Sequence, residues 1–288
     1  MGETARLVAR LERMLDRLEP LLPPEQRDPD WSAPAFRWVH GPRGGSLEAV
    51  HAPATPPLAA LLGVERQKAR LERNTRQFLQ GLPANDALLW GARGTGKSSL
   101  VRALLGAYAA EGLRLVEVGR DHLLDLPAIA DALRGRPERF ILFCDDLSFA
   151  PDESGYRALK AALDGSVAGA GENMVVYATS NRRHLVPEPA EDNTQAHHVD
   201  GELHPGEAVE ERISLSERFG LWLAFHPFGQ DAYLEMVAGW LRHLGVAEDP
   251  AVHREEALRF ALERGSRSGR VAWQFARARA GALGLGEG

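Results

Sequence analysis

The chain has 288 residues, 44% of them hydrophobic and 26% charged, the balance of a packed globular protein rather than a disordered or fibrous one. A formal net charge of -6 gives no general attraction to nucleic acid or anionic lipid, so any such contact must come from a local patch. The single cysteine, Cys144, excludes an intrachain disulfide framework and makes the cytoplasm the expected compartment.

Residues 3–22 place Leu7, Leu11, Leu15, Leu18 and Leu22 at helical spacing among Arg and Glu, which predicts an amphipathic helix closed by Pro23 and Pro24. Acidic residues sit among its arginines and it lacks an apolar stretch, so it is not a signal peptide. No window elsewhere approaches the roughly 18 apolar residues of a membrane span. Residues 25–58 are rich in Pro and Gly with Trp31, Phe36 and Trp38 between them, the pattern of short strands and loops with anchoring aromatics. A charged helix from Val64 to Leu79 leads to the apolar run Ala87 to Trp90, which stops at a glycine-rich turn. Helices over 97–111, 126–133 and 156–163 then alternate with strands over 113–118, 140–144, 174–179 and 221–225. Strands such as FILFC and MVVYAT are apolar on both faces, so they predict a parallel sheet covered on both sides. After Pro227 only helices are expected, over 231–244, 255–264 and 270–280.

Between Pro187 and Glu211 lie eight acidic residues, no Lys or Arg, and His197, His198 and His204. A solvated acidic insertion is the simplest reading, because charge runs stay hydrated. The three histidines suggest a metal, but no spaced ligand set accompanies them.

The chemistry is concentrated at three strand ends. Gly91, Ala92, Arg93, Gly94, Thr95, Gly96, Lys97 and Ser98, followed by Ser99, match G-x4-G-K-[ST] between a strand and a helix. Glycines let backbone N–H groups fold into a nest for phosphates, and the helix N-terminus adds partial positive charge. Only three of the 34 basic residues are lysines: Lys68, Lys97 and Lys160. A compact ammonium at position 97 fits a slot beside the β and γ phosphates where a planar guanidinium does not. Ser98 is then a ligand for Mg²⁺. The strand 140–144 ends in two carboxylates, of which Asp145 would hold the metal and Asp146 would orient or deprotonate a water. The alternative for Asp146 is a helix cap. The strand 174–179 ends at the same edge in Ser180 and Asn181, and Asn181 would position that water.

In this order the segments GARGTGKS, FILFCDD, ATSN, LSERFG and SGRVAWQFAR resemble Walker A, Walker B, sensor 1, arginine finger and sensor 2 of the AAA+ ATPases, over residues 60–283. The strings ATSNRRHL, ERFGLWLAF and GSRSGRVAWQFAR look like a bacterial AAA+ family known as a domain of unknown function. The resemblance implies an α/β fold: a five-stranded parallel αβα P-loop core over 59–228 with the acidic insertion 187–211, a helical lid over 229–288 and a small N-terminal region over 1–58. It implies ATP and Mg²⁺ as cofactors, ADP as product, and an oligomer. Arg218 matches the finger position, with Arg212 as rival; Arg270 matches sensor 2, with Arg267 as competitor; Gly63 and Val64 match the adenine side. Asp146 stands where the family usually has glutamate, as in its initiator and helicase-loader branch. Residues 119–137 hold no Phe, Tyr or Trp, unlike the aromatic pore loops of protein-unfolding members.

The expected function is an ATPase that remodels or switches a partner macromolecule. The alternative is a nucleic-acid loader using ATP as a latch, suggested by Arg66, Lys68, Arg70, Arg73 and Arg76 and by Arg264, Arg267, Arg270, Arg277 and Arg279, though balancing acids favour a solvated face. A small-molecule kinase is a third reading. A GTPase is disfavoured further, since no lysine lies in an [NT]-K-x-D motif.

Overall fold

The structure is a computed structural model that describes residues 28–41, 44–149, 154–163, 172–183, 185, 197–199, 202–204 and 215–285. The helix expected over 3–22, most of the acidic insertion and Arg212 lie outside these residues.

Chain order is β1 (Ala35–Gly41), β2 (Gly44–Val50), α1 (Glu65–Leu79), β3 (Ala87–Gly91), α2 (Lys97–Tyr108), β4 (Leu113–Glu117), a 3₁₀ turn at Arg120–Asp125, α3 (Leu126–Leu133), β5 (Arg139–Cys144), α4 (Ser154–Leu163) and β6 (Met174–Ser180). There follow β7 (His197–Val199), β8 (Glu202–His204), β9 (Leu221–Phe225), α5 (Gln230–His243), α6 (Arg254–Glu263) and α7 (Gly269–Gly284). β7 and β8 form a separate antiparallel pair inside the acidic insertion, which was expected as a loop throughout.

Seven strands make one sheet in the order β2-β1-β4-β5-β6-β3-β9. The five parallel strands read from the sequence, β4-β5-β6-β3-β9, run to one edge of it, and two more extend it beyond β4. β1 pairs parallel to β4 and carries β2 antiparallel behind it. The aromatics explain this addition: Phe36 and Trp38 alternate along β1 into the same buried layer as Val116, whereas β4 would otherwise present an unpaired apolar edge.

Side chains of each central strand alternate between two cores. Phe140, Leu142 and Cys144 of β5 meet α3 and α4 on one face, while Ile141 and Phe143 meet α1 and α2 on the other. Burial on both faces is why these strands read as unbroken apolar runs. A third core, built on Tyr233, Met236, Leu241, Ala272 and Phe275, joins α5, α6 and α7. Phe228 packs against this core and against the sheet. No helix among the described residues is long and apolar enough to cross a membrane.

Candidate functional site

The C-terminal ends of β3, β5 and β6 converge on one edge of the sheet, the edge where open α/β folds bind ligands. At the end of β3 the chain must pass close to β9. Gly91 has φ +133°, and a Cβ there would lie 1.9 Å from the carbonyl oxygen of Phe225, which accepts from Ala92 N–H at 3.2 Å. Gly94, at φ +73°, sits against Ser268; its carbonyl accepts from Gly269 N–H at 2.9 Å, which pins the start of α7 to the loop. Ser268 caps that helix by accepting from Val271 N–H. Thr95 Oγ1 donates to the Ala92 carbonyl at 2.7 Å, and Gly96, left-handed at φ +95°, turns the chain into α2.

Lys97 opens α2 and is buried. Its Nζ donates to the carbonyls of Gly91 and Ala92 at 2.8 Å each and to Asn181 Oδ1 at 3.2 Å. Burial pulls its pKa below the ordinary lysine value; the carboxylates of Asp146 and Asp145 push it back, while Arg93 and Arg270 lower it further. Two arginines thus face the ammonium across the loop, a concentration of positive charge suited to an anion.

The two acids after β5 are held differently. Asp145 Oδ1 accepts from Ser98 Oγ and from Thr179 Oγ1, both at 2.6 Å, and its Oδ2 lies 3.4 Å from a nitrogen of Arg102. Asp146 is exposed and has φ +53°, the one positive value among described non-glycine residues. Aspartate tolerates this conformation better than most residues, but it still costs on the order of 1 kcal/mol. Thr179 Oγ1 holds the backbone there by accepting from Asp146 N–H at 2.8 Å, and Asn181 Nδ2 donates to the Asp146 carboxylate. The described residues that follow Asp146, 147–149, are not helical, so its carboxylate caps no helix there. Beneath the site Cys144 is fully buried; burial pushes its thiol up to about 12 and keeps it protonated.

These groups border a cleft of about 950 Å³ between the sheet edge and the C-terminal helices. Arg93, Gly94, Thr95, Gly96, Lys97, Ser98, Ser99, Asp145, Asp146, Asn181, Val64 and Arg270 all line it. Gly91 and Ala92 lie behind the loop and contribute carbonyls to Lys97. Arg218 and Arg267 are not among the lining residues. Sequence reading missed Thr179, which ties Asp145 to the Asp146 backbone, and Arg102, although Arg102 lies one helical turn beyond Ser98. It also missed Phe228, Trp240 and Trp273 on the helical wall, the two tryptophans having ring centroids 4.6 Å apart. A hydroxyl and a carboxylate are the hard oxygen donors that Mg²⁺ takes, and the glycine loop, ammonium and arginines fit a polyphosphate, so the residues present suit Mg-ATP.

The family model described as a protein of unknown function, DUF815, matches residues 31–283. The chain belongs to the DUF815 family. Among solved structures, Thermotoga maritima RuvB, described as a Holliday junction branch migration motor, is similar with a TM-score of 0.51 and 18% identity, over 80% of this chain and 65% of that one. Two RuvB variants of the same organism match with a TM-score of 0.55 and 16% identity, also over 80% of this chain, covering 65% and 66% of theirs. This DUF815 chain therefore spans about 65% of the length of the motor proteins it matches. At such identity the likeness is one of fold: the chain shares the fold of RuvB. Comparison with curated proteins gives no match.

Proposed function

We propose that this protein binds Mg-ATP in the cleft and hydrolyses it, working as a homo-oligomer that changes the state of a partner macromolecule. One observation carries the reading: a continuous set of hydrogen bonds joins Ser98, Asp145, Thr179, Asp146, Asn181 and Lys97 at the mouth of a cleft of nucleotide size. The loop N–H groups and the start of α2 take phosphate oxygens, with Lys97 on the β and γ phosphates. Ser98 and Asp145 would hold Mg²⁺, which when bound neutralises charge on the phosphates. Asp146 orients or deprotonates the attacking water, and Asn181 fixes that carboxylate. Val64, with Phe228, Trp240 and Trp273, bounds the base side. Arg270, on the first turn of α7, senses the phosphates from a helical unit over 229–288, while 59–228 forms the nucleotide-binding core and 1–58 an N-terminal region. Arg218 serves the neighbouring protomer, which agrees with its place outside its own chain's cleft.

A second reading, a nucleic-acid loader, is favoured by four exposed arginines on α1: Arg66, Arg70, Arg73 and Arg76. Lys68, grouped with them by sequence, instead donates to the carbonyls of Leu58 and Leu61. One of the RuvB structures is described as a Holliday junction branch migration motor, and DNA binding here would weaken steeply with salt.

Steady-state ATP turnover over a range of protein concentrations tests the proposal. Specific activity should rise with concentration in the native chain and lose that rise in Arg218→Ala. Asp146→Asn should keep Mg-ATP binding and lose turnover about 100-fold. Undiminished turnover in Asp146→Asn would overturn the assignment of the base.

A further inference from the structure

Away from the cleft, β1 and the turn after β4 bring two histidines and an aspartate together. Along β1, Phe36 and Trp38 point into the core, and alternation puts His40 on the same face just past its rim. Arg120–Asp125 forms a 3₁₀ turn, in which residues three apart eclipse, so His122 and Asp125 stack one above the other. The ligand atoms of His40, His122 and Asp125 all lie within 4.8 Å of one another. His40 Nε2 is 2.7 Å and His122 Nδ1 3.4 Å from Asp125 Oδ2, with the two imidazole centroids 4.8 Å apart.

Two further observations separate this cluster from an ordinary polar contact. His122 Nδ1 is buried and makes no hydrogen bond, its 3.4 Å approach to Asp125 Oδ2 not being one, and a buried polar atom left so is destabilising unless something coordinates it. Trp38 Nε1 donates to Asp125 Oδ2 at 3.0 Å, the kind of outer support that fixes a ligating carboxylate. A tetrahedral ion with bonds of about 2.0–2.1 Å keeps its ligands about 3.3 Å apart. The His122–Asp125 spacing already meets that value, and His40, whose side chain is 54% exposed, has room to turn so that its Nε2 opens from Asp125 and closes on His122.

We infer that His40 Nε2, His122 Nδ1 and Asp125 form a site for one divalent transition-metal ion of the Zn²⁺ class, which clips the β1–β2 hairpin to the turn after β4. Two imidazoles and one carboxylate select such an ion over Mg²⁺ and Ca²⁺, which take oxygen ligands. Three protein ligands leave the fourth position open to solvent. None of the three residues lines the nucleotide cleft, so the site stands whether or not the chain hydrolyses ATP.

The test is calorimetric titration of the chelator-stripped full chain with Zn²⁺, in millimolar Mg²⁺ to keep the Asp145 carboxylate engaged, with the visible spectrum of Co²⁺ as a second readout. One equivalent should bind, with affinity at least tenfold weaker in His40→Ala and in His122→Ala, and with loss of the Co²⁺ band in both. His40 is exposed enough that its variant keeps the fold, and circular dichroism checks this; if His122→Ala unfolds, His40→Ala decides alone. No stoichiometric binding, or unchanged binding in His40→Ala, overturns the inference. So does loss of binding in a His197→Ala, His198→Ala, His204→Ala triple variant, which would put the ion in the acidic insertion.

Discussion

At the residue scale, the site turns on how single polar atoms are shared. Thr179 Oγ1 donates to one acid and accepts from the backbone of the next, so one hydroxyl sets the spacing of the two carboxylates. Asn181 does the same between Lys97 and Asp146, donating through Nδ2 and accepting through Oδ1. A different carboxylate governs stability. Asp86, just before β3, accepts from Val176 N–H at 2.6 Å, yet burial pushes its pKa up from 3.8 to about 6. A carboxyl that holds its proton more tightly folded than unfolded contributes stability that is complete below pH 3.8 and is lost as pH rises through about 6. Denaturant midpoints measured from pH 4 to 7 should therefore show a fall in the native chain that Asp86→Asn, which keeps the acceptor for Val176, does not show. Parallel profiles for the two proteins would contradict this.

At the scale of elements, the close pass of β3 and β9 is the tightest backbone requirement of the loop. A methyl at position 91 meets the Phe225 carbonyl and not a movable side chain, so Gly91→Ala should lower stability by about 3 kcal/mol or more in urea unfolding. Gly112, also left-handed at φ +94° but with open space around it, provides the comparison: Gly112→Ala should cost only about 1–2 kcal/mol. Equal costs would show that the approach to β9 is looser than described. The same elements show what was legible in sequence. The strands ending in Gly91, Cys144 and Ser180 announce themselves, because burial on both faces keeps their interiors apolar until the functional edge is reached. The P-loop follows because few sequences satisfy a nest and a helix start together. The hairpin's place in the sheet was not legible: β1 and β4 pair across 80 positions, as Ala35 with Leu115, and nothing local in Pro- and Gly-rich sequence names a distant edge. Likewise His40 and Asp125 meet only because β1 docks beside β4. Trp240 and Trp273 read as ordinary helix residues until α5 and α7 pack side by side over the cleft.

At the scale of the molecule, the cleft lies where the sheet and the C-terminal helical core meet, a junction that Phe228 also bridges. The loop reaches the sheet through Gly91 and the helical unit through Gly94, whose carbonyl accepts from Gly269 at the start of α7. On the proposed function, a phosphate group drawn into the loop by Lys97 would act on the segment that carries Arg270, so that a change in the nucleotide would be passed to the C-terminal helices. The measurement that tests this account most directly is calorimetric titration of the folded chain with Mg-ATP, set beside Lys97→Ala. The account predicts one nucleotide per chain and affinity lowered at least tenfold in the variant. Absence of binding to the native chain, or equal binding by both proteins, would contradict it.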